Sequence, residues 1–541
     1  MAAGVIRAAV VSLALLFPGV SSGQLLDAVS VAARPSPRLT FSKQEMQLAR
    51  LAAPHPGLAE FYGANGLRPI FAGQDGQHRR EALIEAVASA AQHGLPPARY
   101  RPDLLRRLHR EGVNSPADEL AFAHVFARWT HDLSGGILDP RRIDPTIKRE
   151  VTRPQTADLL RDFRDASNPA HVLASIAPNH PNYLRLQEAL GAADDLIAPA
   201  DLPPVASGLW RPDSEGPPVL HLRARLAAMG FAAGDPANPR YDAALKQAVT
   251  AYQTRVGLVA DGIAGPRTVD MVNRRVAGGD RDILISLERM RWLAGHDLNA
   301  RHVWVNLPEF NARIVENGQE VFVTRTVIGM KGEEYRTPEF SDGIEYMVVN
   351  PRWNVPRSMT VRDYLPRLKA NRHAVSHLDV VDGAGNVIPR DRIDFSRYDA
   401  RNFPYRLRQK PSQDNALGLV KFMFPNPWNI YLHDTPTKHL FNQSSRAHSN
   451  GCIRIGQPFE LAYELLRDTA PDPRARFHAA LDSGRETWLH LSQEVPVHLV
   501  YFTTFPDAEG VIRRYPDVYD RDSLVLAALE RVALENFAGD E

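Results

Sequence analysis

The chain has 541 residues, of which 44% are hydrophobic and 23% charged, and its formal net charge is +1. This length exceeds what one hydrophobic core supports, so the ordinary composition indicates several globular domains. The near-zero net charge provides no strong field for nucleic acid or an acidic membrane surface, and no nucleic-acid partner is expected.

The first predicted element is a secretory signal peptide over residues 1–23. Arg7 precedes an apolar run over residues 8–17, which Pro18 ends and small residues follow. This order is typical of a signal peptide, and the run is too short for a stop-transfer helix; a buried N-terminal helix is the alternative. We therefore expect an exported protein of the periplasm or cell envelope, with no transmembrane segment beyond the signal.

Residues 24–40 are expected to form a linker, and residues 41–200 a helical scaffold domain. Two stretches carry apolar residues at helical spacing, EALIEAVASAAQHGL, which Gly94 ends, and DELAFAHVFARWTHDL. The region has no metal-ligand spacing or nucleophile motif, which favours a structural role. The expected apolar faces are Leu83, Ile84, Val87 and Ala91 in the first helix, and Leu120, Phe122, Val125, Phe126 and Trp129 in the second.

A compact three-helix unit is predicted over residues 219–276. Two amphipathic helices, the first ending at Gly230, precede a glycine-rich turn and a third helix that begins near Pro266. The resemblance is to the peptidoglycan-binding module, and it implies that fold; glycan binding and a spacer role both stay open. The matching positions are Leu222, Leu226, Gly230, Tyr252, Gln253, Gly257, Leu258, Asp261, Gly262, Gly265 and Thr268.

Residues 300–541 are predicted to form a mainly β domain with a few flanking helices. Apolar residues alternate from residue 303 onward, in EVFVTRTVIG, IEYMVVNPRWNVP, LGLVKFMFPN and NIYLHD, and a final pair of strands is expected in VPVHLVYFTTFPDAEGVIRRYPDVY. Residues 358–414 interrupt this series with polar and helical sequence, which predicts an inserted cap over a cleft. The predicted fold class is therefore multidomain α+β.

Cys452 is the only cysteine in the chain. Exported proteins usually pair their cysteines, so a single thiol indicates either a nucleophile or an inert buried residue. Ser449, Asn450 and Gly451 form a small-residue turn before it, which lets backbone amides converge on an oxyanion. His433 ends a predicted strand 19 residues earlier. A histidine within hydrogen-bond reach of the sulfur can take the thiol proton.

The stretch YLHDTPTKHLFNQSSRAHSNGCIRI resembles the catalytic signature of the YkuD-type L,D-transpeptidases, which is a histidine, roughly fifteen residues, and then Ser/Thr-His-Gly-Cys. Asn450 stands where many members have histidine and Arg454 where many have asparagine, as in the large scaffold-bearing subgroup. The resemblance implies Cys452 as nucleophile, His433 as base and then acid, and 3-3 cross-links made from tetrapeptide stems. It also implies carbapenem acylation of the same sulfur and no metal or other cofactor.

Three further residues are candidates for substrate binding. Tyr431 is expected on the face of His433, Arg454 on that of Cys452, and Trp353 near the cleft. Arg454 would bind a carboxylate or anchor the loop, while core packing is the alternative for the two aromatic residues.

Two other readings of the motif are disfavoured. A zinc site that joins His439 and His448 to His433 and Cys452 matches no common ligand spacing. Asp434 is a poor candidate for orienting His433, because neighbours along a strand point to opposite faces. A backbone carbonyl or another residue is expected in that role.

The expected partners are peptidoglycan stem peptides and glycan, together with other cell-wall synthesis proteins. Rival functions are an L,D-carboxypeptidase, a lipoprotein-attaching transpeptidase and a non-catalytic wall-binding scaffold protein. A sortase-like transpeptidase is disfavoured, because its histidine normally lies much further upstream than the 19 residues seen here.

Overall fold

A helical region comes first in the described part of the chain. The computed structural model describes residues 40–192, 199, 201–273 and 281–538. The predicted signal peptide, residues 1–23, and all but the last residue of the predicted linker, 24–40, lie outside the described residues. No described helix is long and apolar enough to cross a bilayer. The helices of this region are α1 (Lys43–Ala52), α2 (Pro56–Ala64), α3 (Gln77–Ala88), α4 (Pro102–Glu111), α5 (Pro116–Gly135), α6 (Thr156–Asp165), α7 (Pro169–Ile176) and α8 (Pro181–Gly191).

The longest of these helices, α5, begins with a capping box. The Ser115 hydroxyl accepts the Asp118 N–H at 3.2 Å, and the Asp118 carboxylate accepts the Ser115 N–H at 3.1 Å. All five residues predicted on its apolar face are buried, in one core with α2, α3 and α6. The prediction for α3 is wrong at its end, because the helix stops at Ala88 and leaves Ala91 exposed in a 3-10 turn.

The three predicted helices of the next unit are present. Gly230 follows the first with φ +87°, a conformation that favours glycine, and Pro266 opens the third. Buried Gln253 holds the glycine-rich turn, since its Nε2 donates to the Ile263 carbonyl at 2.8 Å and its Oε1 accepts the Gly262 N–H at 2.9 Å. The helices are α9 (Pro217–Ala228), α10 (Ala243–Arg255) and α11 (Pro266–Val272).

The helix α12 (Arg281–Arg291) was not predicted from the sequence. Its buried face includes charged residues, which conceal the apolar pattern. The Glu288 carboxylate is fully buried and accepts hydrogen bonds from Arg291 at 2.8 Å, Trp292 Nε1 at 3.1 Å and the Leu138 N–H at 2.8 Å. This network joins α12 to the chain that follows α5.

A nine-stranded mixed sheet forms the centre of the β domain, which confirms the predicted change to a mainly β fold. Its strands are β1 (His302–Asn306), β2 (Asn311–Glu316), β3 (Gln319–Gly329), β4 (Phe340–Val349), β8 (Val420–Met423), β9 (Leu432–His433), β10 (Ala447–Ser449), β11 (Ile453–Ile455) and β12 (Thr487–Val500). Their spatial order is β10-β3-β11-β9-β8-β4-β12-β1-β2, and β2 also pairs antiparallel with β3, which closes the sheet. One face buries the main apolar core beneath α15 (Pro458–Leu466) and α16 (Pro473–Asp482).

The segment between β4 and β8 folds as a small unit with its own core, here called the cap. The strands β5 (Trp353–Asn354), β6 (Leu378–Val381) and β7 (Arg406–Gln409) form a sheet in the order β5-β7-β6, accompanied by α13 (Arg357–Met359) and α14 (Leu365–Ala370). Tyr431 of the main sheet packs against the apolar core of the cap. The Arg362 guanidinium lies 4.9 Å from the ring centroid of Tyr335, in the loop after β3. The cap therefore contacts the main sheet at Tyr431 and at the loop after β3.

A hairpin and a helix follow β12. The prediction of one strand pair in this region is wrong, because the end of β12 is followed by two further strands, β13 (Thr504–Pro506) and β14 (Ile512–Arg514). The hairpin holds the three-helix unit, since the Arg514 N–H donates to the Gly257 carbonyl at 2.8 Å. The helix α17 (Arg521–Ala538) was not predicted.

Candidate active site

Two neighbouring parallel strands bring the candidate residues together. In the pairing of β9 with β11, Arg454 lies beside His433 and Ile453 beside Leu432. Because alternate residues of a strand share a face, Tyr431 and His433 point to the same side as Cys452 and Arg454. The rings of Tyr431 and His433 lie 5.7 Å apart between centroids. The sheet thus places four of the predicted residues on the face that the cap contacts.

The turn before Cys452 is held by its own hydrogen bonds. The buried Ser449 hydroxyl donates to the Cys452 carbonyl at 2.5 Å and accepts the Gly451 N–H at 3.1 Å. Gly451 has φ +116°, which other residues rarely adopt. Because the Gly451 N–H is already used, it is a poor oxyanion donor in this state. The Cys452 N–H has no partner among the described residues and is the better candidate.

Thr337, on the loop between β3 and β4, forms a hydrogen bond to the same turn. Its hydroxyl is fully buried, donates to the Gly451 carbonyl at 2.7 Å and accepts the Gly329 N–H at 2.9 Å. Tyr519 donates its hydroxyl hydrogen to the Gly329 carbonyl at 2.7 Å. One hydrogen-bond network therefore joins the end of β3 to the turn before Cys452.

The Cys452 thiol is half-buried and protonated in the resting state. Its Sγ–H donates to the Asn429 carbonyl at 3.5 Å. Burial raises the pKa of the Cys452 thiol to about 11, although hydrogen bonds from Tyr431 and the charges of Arg454 and Lys421 lower it in part. The sulfur has no hydrogen bond to the imidazole of His433 in the described structure. The resting site therefore holds a neutral thiol rather than a thiolate–imidazolium pair.

The imidazole of His433 is neutral and has a fixed tautomer. Its Nδ1–H donates to the Asp434 carbonyl at 2.5 Å, so Nε2 carries the free lone pair. Burial and the charge of Arg454 lower the pKa of His433 to about 3. The Asp434 carboxylate instead accepts the N–H groups of Leu419 at 2.9 Å and Thr435 at 2.7 Å. A backbone carbonyl, not a side-chain acid, therefore orients the ring.

The remaining predicted residues lie at different distances from this centre. Arg454 is half-buried and donates through Nη1 to the Thr437 hydroxyl at 3.0 Å, while its buried Nε has no partner in the described residues. Asn450 is exposed at the turn. Trp353 is 8% exposed and belongs to the core of the cap, where its ring meets Tyr364. Substrate binding by Trp353 stays a prediction.

Two functional candidates were missed in the sequence. Asn429, whose carbonyl receives the thiol hydrogen, has φ +55° just before β9. Lys421 lies on β8 directly opposite His433. A lone lysine in the otherwise apolar run LVKFMF was a visible signal for a charge on the functional face.

The histidines of the loop after β9 do not gather into a metal cluster. His439 and His448 are exposed, and His448 bonds to the Ser445 carbonyl at 3.1 Å. Within residues 40–192, 199, 201–273 and 281–538, no group of three or more His, Cys, Asp or Glu side chains is arranged to hold a metal ion.

Alkylation of Cys452 by iodoacetamide is expected to accelerate about tenfold for each pH unit between pH 7 and 9.5, because the thiolate fraction rises by that factor below the thiol pKa. The thiol pKa of about 11 predicts no plateau in this range. The chain has one cysteine, so intact-mass measurement follows this site alone.

The matched control for this measurement is the same chain in urea. There the thiol regains its ordinary pKa of about 8.5, and the rate should level off by about pH 9.5. A rate for the folded protein that is fast and constant from pH 7 to 9 would show a thiolate already present and would contradict a neutral resting pair.

A partly accessible thiol, a neutral imidazole with a free lone pair and an unused backbone N–H are the groups that nucleophilic acyl transfer requires. Comparison with known families then matches residues 300–490 to the L,D-transpeptidase catalytic domain, YkuD, and residues 56–190 to a scaffold domain. Residues 215–272 match a family described as "Putative peptidoglycan binding domain". The chain therefore carries a YkuD-type L,D-transpeptidase catalytic domain beside a scaffold domain and a peptidoglycan-binding domain, which confirms the resemblance.

The chain is also similar to individual proteins. A Haemophilus influenzae (strain ATCC 51907 / DSM 11121 / KW20 / Rd) protein named "Putative L,D-transpeptidase" is 35% identical over 222 residues, which are 41% of this chain and 44% of that protein. The match thus spans less than half of that relative. Crystal structures of L,D-transpeptidases from Xylanimonas cellulosilytica and Stackebrandtia nassauensis align over 55% of this chain and 100% and 96% of theirs, at 17% and 14% identity and TM-scores of 0.15 and 0.16. Such low scores define no shared fold.

Proposed function

We propose that this protein is a peptidoglycan L,D-transpeptidase that forms 3-3 cross-links through a thioester on Cys452. The observation that carries the proposal is the placement of Cys452 and His433 on one face of neighbouring strands, inside a domain that matches the L,D-transpeptidase family. The donor is a tetrapeptide stem, and the acceptor is the side-chain amine of the third residue of a second stem.

The first half-reaction transfers the donor to sulfur. Cys452 Sγ attacks the carbonyl carbon of the third stem residue while the thiol proton passes to His433 Nε2. The oxyanion accepts a hydrogen bond from the Cys452 N–H. When the C–N bond breaks, the imidazolium returns its proton to the departing amine, which leaves as D-alanine. A thioester between the donor and Cys452 remains.

The second half-reaction resolves the thioester. The acceptor amine attacks the thioester carbonyl, and His433 takes the amine proton as the new C–N bond forms. The C–S bond then breaks, and the sulfur regains a proton from the imidazolium. Water in place of the amine would release a tripeptide, so the same site supports an L,D-carboxypeptidase when an acceptor is absent.

The other domains suit work on the cell wall. The three-helix unit matches a peptidoglycan-binding family, which supports contact with glycan beside the stems. Peptidoglycan lies outside the cytoplasm, so the protein must be exported to the periplasm or cell envelope. The predicted signal peptide, residues 1–23, would direct that export. Carbapenems are expected to acylate Cys452, because their strained amide presents the same carbonyl chemistry.

The direct test incubates purified wild type and Cys452→Ala with disaccharide-tetrapeptide and reads the products by mass. A cross-linked dimer that has lost one D-alanine, formed by the wild type alone, is the expected result. Tripeptide without dimer would indicate the carboxypeptidase. No turnover and no carbapenem adduct on Cys452 would indicate a non-catalytic wall-binding protein, and a dimer made by Cys452→Ala would exclude the thioester.

A further inference from the structure

A row of basic residues crosses the sheet beside Cys452. Lys421 on β8 and Arg454 on β11 each lie directly beside His433 on the intervening strand β9. Residues that pair directly in a sheet share a face, so the three side chains form one row. Cys452 and Tyr431 share this face two residues earlier along their strands.

Lys421 is the member of this row without a partner of its own. Among the residues that the structure describes, its side chain makes no hydrogen bond and no ion pair, and its Nζ lies 5.7 Å from the ring centroid of Tyr431. The neighbouring acid Glu486 instead accepts the Arg352 N–H at 2.7 Å. The Glu486 charge acts on Lys421 only from beyond ion-pair distance, and a half-buried ammonium with no direct counter-ion is unfavourable. Lys421 is therefore suited to an anion that arrives with a ligand.

The position of Lys421 matches a charge close to the reacting carbonyl. One strand separates β8 from β11, so their backbones lie about 9.5 Å apart, and the Lys421 Nζ lies 5.7 Å from the ring centroid of Tyr431 on the chain between them. The positive charge of Lys421 lowers the pKa of the Cys452 thiol. A peptide advances about 3.5 Å per residue, so a carboxylate one residue beyond the scissile carbonyl lies next to it. Arg454 is less suitable, because it already bonds to Thr437.

We propose that Lys421 binds the terminal carboxylate of the donor peptide, and so restricts the reaction to a bond one residue from a free C-terminus. This inference rests on the proposed acyl transfer at Cys452. The ammonium and the carboxylate neutralise each other as the donor docks, which holds the scissile carbonyl over the sulfur. Lys421 is thus a specificity-determining residue that selects tetrapeptide donors over amidated or longer ones.

The test compares two donors that differ only at the C-terminus, disaccharide-tetrapeptide with a free carboxylate and the same compound as its C-terminal amide. Release of D-alanine or D-alanine amide from the full chain is measured as kcat and KM. We expect the wild type to favour the carboxylate by about 10- to 100-fold in kcat/KM, as a charge-assisted contact of this kind provides. Lys421→Met should lose most of that factor on the carboxylate donor, mainly through KM, while the amide donor should change much less, because it loses only the effect of the lysine charge on the Cys452 thiol.

Two further variants complete the comparison. Lys421→Arg keeps the charge and should retain most of the preference. Lys410→Met removes an exposed lysine of the cap, which forms an ion pair with Asp379, and should leave both donors unchanged. A purely structural role of Lys421 predicts equal losses on both donors, which would overturn the inference.

Equal use of the two donors by the wild type would also overturn the inference, and this outcome requires no variant to fold. In both of these cases release of D-alanine by the wild type leaves the proposed function intact. If the wild type acts on neither donor, although iodoacetamide still reaches Cys452, the proposed function itself fails and the role of Lys421 fails with it.

Discussion

The substitution His433→Gln is expected to slow acylation of Cys452 by about 100- to 10,000-fold, the range that a positioned general base contributes. At neutral pH the thiol and the imidazole are both uncharged, since their pKa values are about 11 and about 3. The proton must therefore leave sulfur during the attack, and His433 Nε2, on the same face of the neighbouring strand, carries a free lone pair. The measurement is the rate of carbapenem adduct formation, followed by intact mass.

The matched control is His439→Gln, the same change at an exposed histidine of the following loop. It should acylate at the wild-type rate. Asp434→Asn separates the two candidate orienting groups, because it neutralises the carboxylate and keeps the backbone carbonyl that receives the His433 Nδ1–H. A loss in Asp434→Asn as large as that in His433→Gln, at equal folded content, would contradict orientation by the backbone.

The sequence was sufficient for residues whose chemistry and spacing carry the information. A single cysteine behind a small-residue turn, 19 residues after a histidine on a strand, predicted that Cys452 and His433 share a site, and the parallel pairing of β9 with β11 places them on one face. The helices α5, α9, α10 and α11 were predictable because apolar residues repeat along one face and caps or prolines mark their starts.

The rest depends on contacts between residues far apart in the chain. The orientation of His433 by a main-chain carbonyl leaves no trace in side-chain identity. The use of the Gly451 N–H by Ser449 depends on a turn conformation rather than on residue type. Thr337 is 114 residues from Gly451, and no local pattern links the two. The helix α12 was missed because its buried acid and arginines find their partners only in the folded chain.

A second large effect is expected where the helix α17 begins. Arg521 is fully buried, and its guanidinium donates to the Glu339 carboxylate at 2.8 Å and to the Thr146 hydroxyl at 2.6 Å. A third hydrogen bond reaches the carbonyl of Thr337, whose hydroxyl holds the turn before Cys452. One arginine thus joins α17, a segment from the helical region and the support of the candidate nucleophile.

Arg521→Met is expected to lower the free energy of unfolding by about 3–5 kcal/mol, because it leaves the Glu339 carboxylate buried without its counter-charge. The measurement is the urea midpoint of the full chain, combined with the slope of the transition. Arg142→Met removes an exposed partner of Asp139 and should change stability by no more than about 1 kcal/mol.

The double variant Arg521→Met with Glu339→Met distinguishes two causes of that loss of stability, the unpaired Glu339 carboxylate and the lost hydrogen bonds of Arg521. Replacing both charges by apolar side chains of similar length removes the unpaired carboxylate, so much of the lost stability should return. A double variant as unstable as Arg521→Met alone would instead place the loss in the hydrogen bonds to Thr146 and Thr337. In that case the turn before Cys452 should loosen in both variants, and alkylation of its thiol should accelerate equally in both.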